Sequence, residues 1–163
     1  MKLWGVVGWK NTGKTGLTER LVAEFCARGL RVSAIKHAHH AADVDHPGTD
    51  SFRHREAGAS EVILASPARV AVMQELRGAP EPGLQDLVAR LSPVDLVLVE
   101  GFKRDTHPKV ETHRASTGKG LLAPQDPSIR AVASDVEITL DRPVFTLDDT
   151  QAIADFIQQE LRL

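Results

Sequence analysis

Along most of the chain, short apolar runs alternate with stretches in which apolar residues return every three or four positions. The first run, Leu3-Trp4-Gly5-Val6-Val7, has no polar face, as a strand buried on both sides requires. From Thr15 the period changes. Leu17, Leu21 and Phe25 fall four apart, Val22 and Cys26 lie beside them, and Gly29 stands where a helix C-cap belongs. This predicts a helix with Cys26 on its apolar side, hence a buried thiol. Residues 31–36 read as a second strand, so the chain opens as a βαβ unit with a parallel pair.

Further on, Asp50 or Ser51 is placed to cap a short helix running to Ala57, before Gly58. Residues 61–65 and 69–73 are β-like and separated only by Ser66-Pro67-Ala68, which predicts an antiparallel hairpin. Leu84, Leu87, Val88 and Leu91 share one helical face. Strands are expected at 95–100, 109–113, 129–134 and 143–146, with a loop over 114–125 that carries Lys119 and looks mobile. A closing helix capped by Asp148 or Asp149 turns Ile153, Phe156, Ile157 and Leu161 inward. The sum is an α/β protein with a mostly parallel central sheet in three layers and an added β-hairpin. At 163 residues it needs only one domain, 1–163, and no internal repeat or low-complexity segment interrupts it.

Composition narrows the functions. A formal net charge of -2 gives no overall pull toward nucleic acid or an anionic membrane. The N-terminus has no signal-peptide layout and no apolar run reaches transmembrane length, so a cytoplasmic protein with no membrane partner is expected. A single cysteine excludes an internal disulfide framework.

The most specific stretch is Gly8-Trp9-Lys10-Asn11-Thr12-Gly13-Lys14-Thr15, which satisfies GxxxxGK(S/T). Such a loop wraps backbone N–H groups around nucleotide phosphates, aims its lysine at the β/γ-phosphates and offers its hydroxyl to Mg²⁺. Here those roles fall to Lys14 and Thr15. Its context agrees, with a buried strand before it and a helix after it whose N-terminal dipole points at the phosphates. A second apolar strand ends in Glu100-Gly101, like a Walker B element whose acid holds Mg²⁺, although aspartate is the usual acid. Taken alone, a buried strand meeting a polar loop explains Glu100 as well; with a P-loop upstream the metal-binding reading leads. Gly101, Phe102 and Lys103 follow in the crevice where open α/β sheets bind ligands.

Five of the seven histidines (His37, His39, His40, His46, His54) crowd between His37 and Arg55. His37, His39 and His40 with Asp43 or Asp45 offer a zinc-like donor set, but without the spacing of a closed structural site. Contact with phosphates or another anion is the stronger use of such a loop, and a solvated surface the plainer one.

Lys10 extends the P-loop to KxxGK(S/T), which resembles the deviant Walker A of dimerising P-loop proteins; a surface lysine is the plain alternative. Several further segments complete a wider likeness. With the P-loop, Lys36-His-Ala-His-His40, Asp45-His-Pro-Gly-Thr-Asp-Ser51, Arg53-His-Arg-Glu-Ala-Gly-Ala59, Leu98-Val-Glu-Gly-Phe-Lys103 and Ala131-Val-Ala-Ser-Asp135 resemble the successive motifs of the molybdopterin-guanine dinucleotide biosynthesis protein B (MobB) family. The resemblance implies a P-loop NTPase-like fold and a GTP-binding accessory protein with weak GTPase activity. It implies a homodimer that assists the MobA-type molybdopterin guanylyltransferase in molybdenum cofactor biosynthesis, with molybdopterin itself a further ligand.

Carried onto this chain, residues 8–15 hold phosphate, and Thr15 and Glu100 hold Mg²⁺. Lys14 and Lys10 act on the β/γ charge, the latter across a subunit boundary. Asp50 becomes a second magnesium or water-orienting acid, with a helix cap as its plainer role. Asp135 takes the place of a guanine-binding carboxylate, though no complete NKxD motif is present. Two other classes stay open: a P-loop small-molecule kinase with the 114–125 loop as lid, and a metal-insertion GTPase suggested by histidine density.

Overall fold

In a computed structural model of the chain, residues 1–38 and 43–163 are described, and they form two compact units, residues 1–37 with 84–163 and residues 38–83. The first unit is built on a six-stranded sheet. Its strands are β1 (Lys2–Val7), β2 (Val32–Lys36), β5 (Leu96–Glu100), β6 (Lys109–His113), β7 (Ile129–Ser134) and β8 (Val144–Thr146), in the order β2-β5-β1-β6-β7-β8 with every pairing parallel. Its helices are α1 (Lys14–Ala27), α3 (Leu84–Ala89) and α4 (Thr150–Leu161).

Alternation along the central strands sorts residues to two faces. Trp4, Val6, Leu96 and Leu98 pack with Leu17, Leu21 and Phe25 of α1 and Ile153 and Ile157 of α4. Val97 and Val99 meet Leu84 and Val88 of α3 on the other face, where Val7 and Val132 pack with Ala123. Each of the fully buried large side chains contributes about 1.5–3 kcal/mol of transfer free energy. The expected α/β class with its parallel sheet is therefore present, with helices on both faces.

Several local expectations need correction. β1 and β2 are parallel but not neighbours, because β5 is inserted between them. β2 is consequently an edge strand of mixed exposure. Cys26 is exposed: Leu17, Leu21 and Phe25 define the buried stripe of α1, and one residue past Phe25 the helix has already rotated about 100° toward solvent. Gly29 does end the helix in the left-handed conformation, with Leu30 N–H donating to Phe25 O. Asp149 caps α4 by accepting from Ala152 N–H. The 114–125 segment contains two 3₁₀ turns, 115–117 and 123–125, and is tied down. The buried Glu111 carboxylate accepts from Leu122 and Ala123 N–H, and Asp135 accepts from Ala115 N–H.

The second unit holds α2 (Asp50–Glu56) and the antiparallel pair β3 (Glu61–Ala65) and β4 (Val70–Gln74). Thr49, not Asp50 or Ser51, caps α2, accepting from Phe52 N–H. Arg55 binds Asp43, Asp45 and Glu75 at once. No helix among the described residues is long and apolar enough to cross a membrane.

Candidate functional site

The end of β1 turns sharply at Gly8, whose φ is +147°. A side chain there would stand 2.5 Å from Thr112 O and 2.6 Å from the Thr12 and Thr112 hydroxyls, so only glycine fits. Thr12 and Thr112 share a 2.7 Å hydrogen bond that buries this side of the loop against β6. Asn11 (φ +67°) and Gly13 (φ +97°) complete the turn before α1 opens at Lys14. The 8–15 loop thus lies at the C-terminal edge of the sheet with a helix N-terminus behind it, an anion-binding arrangement.

Three side chains meet beside it. Thr15 Oγ1 donates to Glu100 Oε1 at 2.9 Å, and Lys36 Nζ reaches the same carboxylate oxygen at 2.9 Å and the Thr15 hydroxyl at 3.2 Å. The cause is register: Lys36 stands opposite Glu100 in the β2–β5 ladder, both on the α1 face. Two hard oxygens face one point there, and an ammonium group already occupies it. Lys14 Nζ lies across its own loop, donating to Trp9 O at 2.7 Å. Partial burial lowers its pKa, the positive charge of Lys103 adds to that, and Glu100 opposes it.

Trp9 is partly exposed, yet fixed on two sides. Its indole donates to Gly120 O at 2.8 Å, and Lys103 Nζ sits 4.6 Å from the ring centroid. Phe102, in a left-handed conformation at φ +49°, stacks on His37 with centroids 4.6 Å apart, over Gly101.

The structure therefore brings together Gly8, Trp9, Asn11, Thr12, Gly13, Lys14, Thr15, Glu100 and Gly101. Lys10 is exposed on the loop's outer side. Asp135 follows β7 on the β6–β8 side, with one carboxylate oxygen used by Ala115 N–H. Asp50 is the first residue of α2, in the second unit. The zinc-like set includes His39 and His40, which lie outside the described residues; the described ones form no cluster of three or more metal-binding side chains. Sequence reasoning placed Lys36 in a motif but missed its pairing with Glu100, for which adjacency of β2 and β5 is the only signal.

An all-parallel sheet with a GxxxxGK(S/T) loop between its central strand and α1 defines an α/β protein of P-loop NTPase-like architecture. Comparison with known proteins sharpens this. The family model described as "Molybdopterin guanine dinucleotide synthesis protein B" matches residues 3–135. The chain is 42% identical over 160 residues to the molybdopterin-guanine dinucleotide biosynthesis adapter protein of Escherichia coli, covering 95% of this chain and 90% of that one. It is 43% identical over 163 residues to the Haemophilus influenzae protein of the same name, covering 98% and 89%. The crystal structure of a MobB protein homolog from Bacillus stearothermophilus superposes with a TM-score of 0.73 at 30% identity, covering 99% of both chains. The chain belongs to the molybdopterin guanine dinucleotide synthesis protein B family.

Proposed function

We propose that this chain is a GTP-binding adapter in molybdopterin guanine dinucleotide biosynthesis. In this reading it works as a homodimer beside a MobA-type guanylyltransferase, with slow Mg²⁺-dependent GTP hydrolysis as a secondary activity. The observation that carries the reading is the meeting of the 8–15 loop with Glu100 through Thr15. The relatives are named adapter proteins of this pathway, which supports the role.

The residues fit the proposed ligands. The Thr15 hydroxyl and Glu100 carboxylate are the hard oxygen donors that Mg²⁺ prefers, and the ammonium of Lys36 standing between them marks the spot as one that takes a cation. When bound there, Mg²⁺ supplies charge neutralisation at the β/γ-phosphates. Backbone N–H groups of residues 8–15 orient the phosphates, and Lys14 swings from the Trp9 carbonyl to the β/γ oxygens. Lys36, released from Glu100, remains within reach of the same anions. Lys10 serves the partner subunit's nucleotide, and molybdopterin is the second ligand handed on. Glu100 is committed to the corner it shares with Thr15, which leaves it a poor general base, in keeping with the weak hydrolysis proposed.

For the homodimer, the support is the hairpin. Ile63, Val70 and Val72 project from one face of β3–β4 at 62%, 64% and 58% exposure. A two-stranded ribbon is marginal in water by itself, and a second copy offers a matching apolar face.

The test is equilibrium binding of GTP and ATP, with and without Mg²⁺, to the wild type and to Lys14→Ala. Magnesium-dependent GTP binding, ATP much weaker, and at least a tenfold loss on Lys14→Ala (about 1.4 kcal/mol or more) are expected. ATP binding as tightly as GTP, or a Lys14→Ala variant that binds as well as wild type, would overturn the assignment. Phosphoryl transfer to a pterin acceptor would favour the kinase class instead.

A further inference from the structure

The P-loop has two flanks. On the β2–β5 flank stand Lys36, Glu100 and Lys103, all with charged or aromatic partners. The β6–β8 flank is different. There Arg114, the residue after β6, lays its guanidinium over the P-loop: a methyl group built on Gly13 would stand 3.4 Å from Arg114 Nε and 3.7 Å from Nη2. Leu147, which follows β8, comes equally near, at 3.4 Å. Asp135, which follows β7, accepts from Ala115 N–H at 2.9 Å and so fixes the backbone next to Arg114.

Arg114 is only partly exposed, yet its guanidinium makes no hydrogen bond or ion pair among the described residues; only its carbonyl is used, by Thr117. Other part-buried arginines of this chain each hold a carboxylate: Arg20 with Asp148, Arg28 with Glu24, Arg55 with Glu75 and Arg142 with Asp141. Withdrawing a guanidinium from water without a partner costs free energy. A planar cation held over the loop in that condition suits an electron-rich ring or an anion that arrives from solution.

The sheet order says which part of a nucleotide arrives there. The cation-binding corner of Thr15 and Glu100 lies toward β5 and β2, so the terminal phosphates point that way. The remainder of the molecule then extends past Gly13 toward β6, β7 and β8. We propose that Arg114 is a nucleotide-contacting residue that lays its guanidinium plane on the purine ring, with Leu147 and Asp135 forming the rest of the nucleoside subsite. The proposal rests on the nucleotide reading above and adds a residue that no P-loop pattern contains.

The test compares wild type, Arg114→Ala, Arg114→Lys and Lys14→Ala, with GDP, GTP and inorganic tripolyphosphate as ligands in calorimetric titrations. Arg114→Ala is expected to weaken GDP and GTP about tenfold, the size of a partly desolvated cation–π contact, and to leave tripolyphosphate within twofold. Arg114→Lys keeps the charge without the plane and falls between. Lys14→Ala weakens all three. Because the guanidinium has no partner to lose and is held partly out of water at a cost, the thermal midpoint of ligand-free Arg114→Ala does not fall below the wild-type value. Equal weakening of tripolyphosphate, or GTP binding unchanged by Arg114→Ala, overturns the nucleoside assignment alone. A wild type that binds tripolyphosphate but no nucleotide overturns the nucleotide reading, and this inference with it.

Discussion

The two compact units satisfy their hydrophobic residues in opposite ways. In residues 1–37 and 84–163, the apolar side chains of the central strands are fully enclosed between helices, and even the charged Lys109 is buried, held by Asp126 at 3.0 Å and Ser128 at 2.6 Å. In residues 38–83, Ser51 is the buried residue of α2, and the hairpin shows Ile63, Leu64, Val70 and Val72 to solvent. What organises this unit is charge: Arg55, with a side chain 12% exposed, draws in Asp43, Asp45 and Glu75. The first unit encloses its own core around the strands that carry the site. The second is arranged by one cation and leaves the apolar side chains of its hairpin exposed.

The largest test of this contrast is Lys109→Ala. It removes a fully buried side chain together with its pair to the partly exposed Asp126, at a cost of about 2–5 kcal/mol. The expected result is a large drop in the denaturant midpoint of the sheet unit; a midpoint within error of wild type would show that this unit does not depend on its buried polar pin. The next is Ile63→Lys combined with Val72→Lys. Sedimentation equilibrium is expected to show a dimeric wild type and a monomeric, still folded variant. A wild type that sediments as a monomer breaks the claim that a second copy covers the hairpin.

The smallest effect concerns Glu111. Burial pushes its carboxyl above the ordinary value of 4.5, against the two backbone N–H groups that favour the charged form. The folded state therefore prefers it protonated, so its contribution to stability is full below the unfolded-state value and is lost as pH rises through the raised one. Denaturant midpoints of wild type and Glu111→Gln should diverge in favour of the variant from pH 4.5 upward. Parallel curves would mean that the carboxylate is not strained by burial.

Much of the fold was legible because the sequence signals were local. The apolar runs at 3–7 and 96–99, the stripe of Leu17, Leu21 and Phe25, and the turn between β3 and β4 each point to one structure on their own. The turn of the 8–15 loop and its place before α1 were legible for the same reason, since the pattern is contained in eight consecutive residues. What escaped was set by strand order. Without knowing that β5 enters between β1 and β2, nothing in the sequence puts Lys36 against Glu100. Nor does any local pattern lay Arg114 over Gly13, 101 positions earlier, because that contact depends on β6 lying beside β1. Cys26 was misplaced for a smaller reason: a stripe of three residues four apart is narrow, and its neighbour one step on is already outside it.

The position of Trp9 has a practical side. The chain has two tryptophans; Trp4 is sealed in the core, and Trp9 stands in the P-loop with its ring beneath Lys103 and its indole N–H on Gly120. Light emitted by Trp4 is thus a steady background, while that of Trp9 depends on an ammonium group and a carbonyl that any phosphate entering the loop would disturb. If phosphate enters the loop as proposed, the emission of Trp9 is expected to change on binding, readable without a label, because Lys14 rests on this residue's carbonyl.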